Sequence, residues 1–378
     1  MRFSPLKKNE KECFLALDIG TEAVKALVFE KSFDAAQDRE KYAILGSALQ
    51  YFDESKPFEN DRVVFNVKEE AIKMSGKNPQ GLLLNLPPDV LRSRIHSQSI
   101  NRQNAKGVID KKEEENIRQL ILKETEKSIA EYFTKHSGIM SRDIRFVDNK
   151  ILEIKIDGYE VPALAGYSGR NLDFRVISSF LPLGYFENFS RVSEGFKLES
   201  SKIVNPINNL ASILGLAEGI FVDIGGEITQ ICLVRNNKIE MIDEFNIGGK
   251  DFSRVLSQTL GMRTLEARFL KERYSRGDLT EETRQRIKDI ISSAVKEWKG
   301  GLKSKLKIVK GLLPSTFFLF GGGSQLPEVE ELISEEEKET RFIYPKDFSA
   351  FGGSALGGKN ILINNPQYTN LILLCYAR

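Results

Sequence analysis

The pattern of apolar and polar positions predicts a β-hairpin near the start of the chain. Phe14 to Leu17 is a short apolar run. Beyond the tip Asp18-Ile19-Gly20-Thr21, the apolar residues Val24, Ala26 and Val28 alternate with their neighbours as in a strand. Glycine lets a backbone come close to a ligand, and exposed N–H groups at such a tip suit phosphate oxygens. Because most glycine turns are only turns, this tip alone is a weak indication of a binding site.

The same pattern occurs again in the second half of the chain. The apolar run Ile220 to Val222 leads into Asp223-Ile224-Gly225-Gly226, and a strand over Ile228 to Val234 then turns at Asn236-Asn237. Adjacent Asn residues tolerate the left-handed backbone of a tight hairpin. A duplicated unit predicts two related lobes whose tips face one ligand across a cleft.

A third glycine cluster follows another apolar strand. Phe317 to Phe320 leads into Gly321-Gly322-Gly323-Ser324, and Pro327 to Ile333 then reads as a helix with Pro in its first turn. A strand, a glycine turn and a helix in this order allow a backbone to approach a nucleotide closely. Three such clusters in this order are a more specific indication of a binding site than any one of them alone.

The segment between Pro88 and about Phe180 belongs to neither repeat. A helix is predicted over Lys111 to His136. Strands are predicted over Ile151 to Ile156, which turns at Asp157-Gly158, and over Leu172 to Ser178. This pattern predicts a compact α+β insert, either as a surface for protein contacts or as a decorative insertion.

Outside the glycine clusters, the pattern predicts further elements of the two lobes. Gly81 to Leu86 is an uninterrupted apolar run typical of a buried strand, and Lys31 to Lys41 is polar, as in a long hairpin tip or a loop. Helices are expected from about Asp251 and from about Thr280, a plausible N-cap; we expect the second to end at Gly300-Gly301.

Composition narrows the function classes. The chain has 378 residues with 55 basic and 53 acidic side chains, so no basic field points to nucleic acid. Its three cysteines and two histidines offer no metal-ligand spacing and almost no material for a histidine-based site. The first residues lack the apolar core of a secretory signal, and no run approaches the length of a membrane span. We therefore expect a cytoplasmic protein.

The glycine clusters together resemble the motifs of the actin-like ATPase superfamily. Asp18-Ile19-Gly20-Thr21 with Lys25, and Asp223-Ile224-Gly225-Gly226 with Thr229, resemble its two phosphate motifs. Gly321-Gly322-Gly323-Ser324 resembles its adenosine motif. The closest resemblance is to the bacterial cell-division protein family FtsA and to its relative PilM of type IV pilus assembly.

This resemblance implies an α/β, actin-like (ribonuclease H-like) fold. Two lobes with duplicated mixed β-sheet cores would carry the inserted α+β subdomain. The implied division is a first lobe over residues 1–87 and 181–210, the insert over 88–180, a second lobe over 211–350, and a C-terminal element over 351–378 that closes on the core.

The resemblance also implies a site for ATP and Mg²⁺ between the lobes. Asp18 and Asp223 would hold Mg²⁺ mainly through water, as that ion keeps much of its hydration. Lys25 would supply charge to the phosphates, although an outward-facing strand residue is an equal interpretation. The residues implied for nucleotide binding are Asp18, Gly20, Thr21, Lys25, Asp223, Gly225, Gly226, Thr229, Gly248, Gly249, Glu266, Gly321, Gly322, Gly323 and Ser324.

Two departures from the family's pattern bear on whether ATP would be hydrolysed. Glu227 stands where the family usually has a third glycine, and a carboxylate there would repel a γ-phosphate unless it points away or meets the metal. In the stretch that would approach adenosine, Arg268 aligns with a glutamate of the family. If the helix is shifted by two residues, Glu266 takes the place of that glutamate instead. No catalytic residue is assigned, and we expect slow or absent hydrolysis, with nucleotide acting as a conformational ligand.

The resemblance implies a scaffold of bacterial cell division that links a polymerising partner such as FtsZ to the membrane machinery. A PilM-like scaffold of type IV pilus assembly, contacting a pilus inner-membrane protein, is the alternative. A sugar or acid kinase of the same fold is a further one, for which we find no motif. Self-association into filaments would use residues 88–180. Because residues 371–378 carry no amphipathic stripe, we expect the protein to reach the inner face of the membrane only through partners.

Overall fold

Two five-stranded sheets with the same strand order form the core of the computed structural model, which describes residues 11–34, 39–52, 61–196, 198–334, 338–348 and 363–377. The first sheet has the order β3-β2-β1-β4-β9 and the second the order β12-β11-β10-β13-β14. The first contains β1 (Lys11–Ile19), β2 (Ala23–Asp34), β3 (Arg39–Tyr51), β4 (Gly81–Asn85) and β9 (Ser200–Ile203). The second contains β10 (Gly219–Ile224), β11 (Thr229–Arg235), β12 (Lys238–Phe245), β13 (Thr316–Phe320) and β14 (Glu339–Phe342).

The pairing directions are also the same in the two sheets. In each, the first three strands along the chain form an antiparallel meander and the other two join in parallel. The turn between β11 and β12 has Asn236 at φ 53° and Asn237 at φ 60°, the left-handed backbone expected of that Asn pair. The duplication predicted from the two Asp-Ile-Gly tips is therefore present throughout both sheets.

Helices pack against the sheets. They are α1 (Asp61–Ser75), α2 (Lys111–Ser137), α3 (Leu183–Gly195), the short α4 (Leu210–Leu214), α5 (Gly249–Leu260), α6 (Thr264–Ser275), α7 (Glu281–Leu306), α8 (Pro327–Ser334) and α9 (Thr369–Cys375). One apolar cluster packs α1 and α3 on the first sheet, and another packs α5 to α8 on the second. Helix α9 lies in a third cluster that contains residues from both sheets, and Leu371 to Leu374 have no exposed surface.

The insert is a separate four-stranded sheet with α2 packed on it. Its order is β5-β8-β6-β7, from β5 (Arg92–Asn101), β6 (Ile144–Ile156), β7 (Tyr159–Glu160) and β8 (Asn171–Pro182). This insert also contacts the second lobe. The Arg94 guanidinium donates to both Glu244 carboxylate oxygens at 2.8 and 2.5 Å, and Lys238 Nζ lies 2.8 Å from Glu153.

Some elements differ from the sequence-based expectations. The expectation that the helix after Thr280 ends at Gly300-Gly301 was wrong, because α7 continues to Leu306. A Cβ at Gly301 would lie 2.7 Å from Phe245 Cδ2, so that glycine permits close packing rather than a helix end. The polar stretch Lys31 to Lys41 forms the end of the antiparallel β2–β3 hairpin, since β2 extends to Asp34 and β3 begins at Arg39. Residues 35–38 lie outside the described part, as do residues 351–362 of the predicted C-terminal element.

Candidate functional site

The two hairpin tips have the same local geometry. Gly20 N–H donates to Ala23 O at 2.9 Å in the first lobe, and Gly225 N–H donates to Ile228 O at 2.9 Å in the second. A Cβ at Gly225 would lie 2.9 Å from that Ile228 oxygen, so the turn closes this tightly only with glycine.

The tips contact each other across the lobes. The backbone N–H of Glu227 donates to Thr21 Oγ1 at 3.0 Å. A Cβ at Gly226 would lie only 2.6 Å from the same hydroxyl oxygen. The duplicated tips therefore bring the lobes together at one point, with a cleft beside it.

A buried carboxylate precedes each tip. Asp18 is 3% exposed; its Oδ1 accepts from Asn85 Nδ2 at 2.8 Å and its Oδ2 from Lys25 Nζ at 2.9 Å. Asp223 is 7% exposed, and its Oδ2 accepts from Asn370 Nδ2 at 2.6 Å. Each carboxylate is thus held by an amide from a distant segment, and Asp18 also pairs with Lys25.

Burial and neighbouring charges shift the pKa values of Asp223 and Lys25. Burial raises the pKa of Asp223 to about 6; the Asp18 charge adds to the rise, while the Asn370 amide and the Lys25 charge oppose it. Burial alone would lower the pKa of Lys25, but the charge and hydrogen bond of Asp18 outweigh it and raise that pKa. Lys25 therefore stays protonated between two carboxyl groups, which suits the arrangement to a further cation or to phosphate oxygens.

The third glycine cluster lies against the second tip. Gly321 adopts φ 85°, and a Cβ at Gly323 would lie 2.5 Å from Ile224 Cγ2. Ser324 has no exposed surface, and its Oγ donates to Gly321 O at 2.8 Å. The turn is therefore held by its own serine while its glycines pack against Ile224.

These elements surround a cleft of about 330 Å³, within the range of small-molecule sites. Most of the residues that the resemblance implied line it. They are Asp18, Gly20, Thr21, Lys25, Asp223, Gly225, Gly226, Gly249, Gly321, Gly322 and Gly323.

Thr229 and Gly248 do not line the cleft, and neither does Ser324. Successive residues of β11 point to opposite faces of the sheet, so Thr229 points away from the cleft. Its hydroxyl donates to Ile247 O at 2.7 Å and accepts from Trp298 Nε1 at 2.9 Å. Gly248 supports the second tip from behind, since a Cβ there would lie 2.5 Å from Gly226 O. These residues hold the tip and the turn rather than a ligand.

Glu266 was predicted at the site, but the structure places it elsewhere. It lies on the exposed first turn of α6, where its carboxylate accepts from the Arg263 backbone N–H and side chain. Two residues along, Arg268 is 8% exposed, lines the cleft and stacks at 3.7 Å over the ring of Tyr51 from the first lobe. A shift of two residues turns a helix by about 200°, so Glu266 and Arg268 cannot serve the same face.

Lys271 lies one turn further along α6 and also lines the cleft. Its Nζ donates to Gly249 O at 2.5 Å, and burial lowers its pKa. The adenosine end that the resemblance implied therefore carries Arg268 and Lys271 from α6 together with Glu272, whose Oε1 lies 3.6 Å from Arg268 Nε.

Glu227 does not face the cleft. Its carboxylate accepts from Lys250 Nζ at 2.6 Å, and its side chain is 44% exposed. The residue that departs from the family's pattern therefore points away from the position between the tips.

Several cleft residues were missed by the sequence reasoning. Asn85 lies in the predicted strand Gly81 to Leu86, but no sequence pattern placed Asn85 or Asn370 beside the aspartates. Tyr51 lies at the end of β3. Gln230 could have been found, because it occupies the position in the second repeat that Lys25 occupies in the first.

The described residues contain no group of three or more His, Cys, Asp or Glu side chains that could hold a metal ion by themselves. A divalent ion at Asp18 and Asp223 would need further oxygen ligands. Mg²⁺ commonly takes these from waters and substrate phosphates, so the two carboxylates fit an ion that arrives with a nucleotide. In the part of the chain that the structure covers, no helix is long and apolar enough to cross a membrane.

Comparison with known proteins identified one family model and several solved structures. The model described as "Cell division protein FtsA" matches residues 220–372, which cover most of the second lobe and α9. No curated protein sequence matches the chain.

Among solved structures, the "PilM-PilN type IV pilus biogenesis complex" is similar at 17% identity and a TM-score of 0.67, covering 95% of this chain and 96% of the other. The ethanolamine utilization protein EutJ from Carboxydothermus hydrogenoformans is similar at 16% identity and a TM-score of 0.52, covering 99% and 92%. MreB5 of Spiroplasma citri, solved with ADP, has 11% identity and a TM-score of 0.46, covering 88% and 91%. The likeness to the first of these confirms the predicted fold class.

Proposed function

We propose that the chain, whose fold is actin-like, is a nucleotide-binding scaffold protein that takes Mg-ATP between its two lobes. The observation that carries this proposal is the pair of equivalent glycine tips, each with a buried aspartate, facing one cleft beside a third glycine turn. Converging tips of this kind place backbone N–H groups where phosphate oxygens can reach them.

Each cleft residue has a role in this proposal. Gly20-Thr21 and Gly225-Gly226 hold the phosphates, and Lys25 supplies positive charge to them. Asp18 and Asp223 hold Mg²⁺ largely through water, and the ion neutralises phosphate charge. Gly321 to Gly323 let the backbone approach adenosine.

The proposed use of the nucleotide is conformational. The Asp18 carboxylate accepts hydrogen bonds from Asn85 and Lys25, and the Asp223 carboxylate accepts one from Asn370. Glu227 points outward to Lys250 and offers no base to an attacking water. In this proposal ATP holds the lobes together, and hydrolysis is slow or absent.

The proposed partners are proteins of a membrane-associated bacterial assembly. A PilM-like role in type IV pilus biogenesis is supported by likeness over 95% of the chain, which includes the insert. An FtsA-like role in cell division is supported by the family match to the second lobe. In both, the protein works on the cytoplasmic face of the membrane through its partners, and the insert is the candidate contact surface.

Nucleotide binding is tested by calorimetry with Mg-ATP on the wild type and on Asp223→Ala. Binding that collapses in the variant supports the site between the lobes. A matched control is Asp289→Ala, at an exposed aspartate on α7, which should bind like the wild type. Absence of binding by the wild type contradicts the proposal.

The partner is tested by co-elution in size-exclusion chromatography. The wild type is mixed with purified PilN-type protein or with FtsZ, each with Mg-ATP and without nucleotide. Nucleotide-dependent co-elution with one and not the other decides between the two roles, and co-elution with neither contradicts both.

A further inference from the structure

Gln230 occupies the position in the second repeat that Lys25 occupies in the first. In the first hairpin Asp18 pairs with Lys25 across the strands, and in the second Asp223 pairs with Gln230. Directly opposed residues of an antiparallel pair project from the same face of the sheet. Gln230 therefore projects beside Asp223 on the cleft side, as Lys25 does beside Asp18.

The contacts of the two residues differ. Lys25 donates to the carboxylate of its own hairpin at 2.9 Å. Gln230 is 4% exposed and lines the cleft, but its Nε2 has no hydrogen-bond partner among the described residues. A buried donor without a partner is costly to a folded protein. Such a donor at a cleft wall is explained if a ligand supplies the acceptor.

The position of Gln230 indicates which part of a ligand it meets. Asp18 and Asp223 are buried carboxylates beside the two hairpin tips, and Gln230 lies beside the second of them. The third glycine turn and α6 form the other end, where adenosine is proposed to lie. A phosphate chain running inward from that end presents its terminal group to the hairpin tips.

We infer that the Gln230 amide is a specificity-determining contact that donates from the second lobe to the terminal phosphate of a bound nucleoside triphosphate. This inference rests on the proposed nucleotide site. A diphosphate ends short of this donor, so Gln230 distinguishes triphosphate from diphosphate. Lys25 and Gln230 thus flank the phosphates from the two lobes, one as a cation and one as a neutral donor.

The test compares Gln230→Met with the wild type, since Met keeps the length of the side chain and removes the amide. Affinities for Mg-ATP and Mg-ADP are measured by calorimetry, and melting midpoints are measured without nucleotide. We expect Mg-ATP to bind about tenfold more weakly, as for loss of a hydrogen bond to a charged group, and Mg-ADP to change by less than about twofold. The midpoint without nucleotide should not fall, because the variant loses a buried donor that has no partner.

The matched control is Gln119→Met, an exposed glutamine on α2, which should alter neither affinity. Unchanged Mg-ATP affinity in Gln230→Met overturns the inference and leaves the nucleotide site standing. Equal loss of both nucleotides with a lower midpoint overturns it in favour of a structural role. If the wild type binds no nucleotide, the proposed function and the inference fail together.

Discussion

Replacing Asp223 by Asn should stabilise the protein without nucleotide while removing its Mg-ATP binding. The side chain keeps its shape and an oxygen that can accept from Asn370, but it loses a charge that burial disfavours. The same charge is the one proposed to hold Mg²⁺. Stability and binding should therefore change in opposite directions.

The magnitude follows from the pKa of Asp223. Its rise from the ordinary 3.8 to about 6 makes the folded carboxyl harder to ionise than the unfolded one. A raised carboxyl pKa contributes stability that is present below pH 3.8 and is lost as the pH rises through about 6. At 1.36 kcal/mol per pKa unit, the loss is about 3 kcal/mol at pH 7.5 and about 1.6 kcal/mol at pH 5.

The assay is urea unfolding of the wild type and Asp223→Asn at pH 5 and pH 7.5, with EDTA and without nucleotide. The difference in free energy of unfolding between the two proteins should shift by about 1.4 kcal/mol in favour of the variant at the higher pH. Effects of the substitution that do not depend on pH cancel in this comparison. A difference that is the same at both pH values, or that shifts against the variant at pH 7.5, would refute the reasoning. Asp289→Asn is the control and should show no shift.

Three further predictions concern other parts of the molecule. Glu227→Ala should leave Mg-ATP affinity within about twofold in calorimetry, because its carboxylate points away from the cleft; a large gain would show that it repels phosphate. Glu244→Gln should lower the free energy of unfolding by about 2 kcal/mol in urea by breaking the partly buried ion pair with the insert, whereas Glu281→Gln at an exposed pair should change it by less than about 0.5 kcal/mol. Gly301→Ala should destabilise by about 1–3 kcal/mol by thermal unfolding because its Cβ meets a ring, whereas Gly300→Ala, with open space around it, should stabilise by up to about 1 kcal/mol; the reverse order would contradict the packing.

Local patterns were enough to predict the duplicated tips and much of the frame around them. Strand alternation, the Asn236-Asn237 turn and the N-cap at Thr280 depend on residues close in sequence, so their conformations follow from local sterics and hydrogen bonds. Each tip follows a strand whose uninterrupted apolar run indicates burial in a sheet, which made the strand before the tip predictable. The bounds of α2 were predicted to within one residue, whereas the predicted strand Ile151 to Ile156 is only the second half of β6, which begins at Ile144.

Only the tertiary structure decided which side chains meet at the cleft. Asn85 and Asn370 come from segments far apart in the chain, and packing of the sheets and α9 brings them to the aspartates. The rotation of α6 about its axis is set by how its apolar face packs on the second lobe, and this turns Arg268 inward and Glu266 outward. Gly301 is a packing contact rather than a helix end, because whether a glycine ends a helix depends on what lies beside it. Local sequence patterns therefore predict the conformation of each segment. The orientation of a segment relative to the other segments is decided by contacts between residues that are distant in the chain.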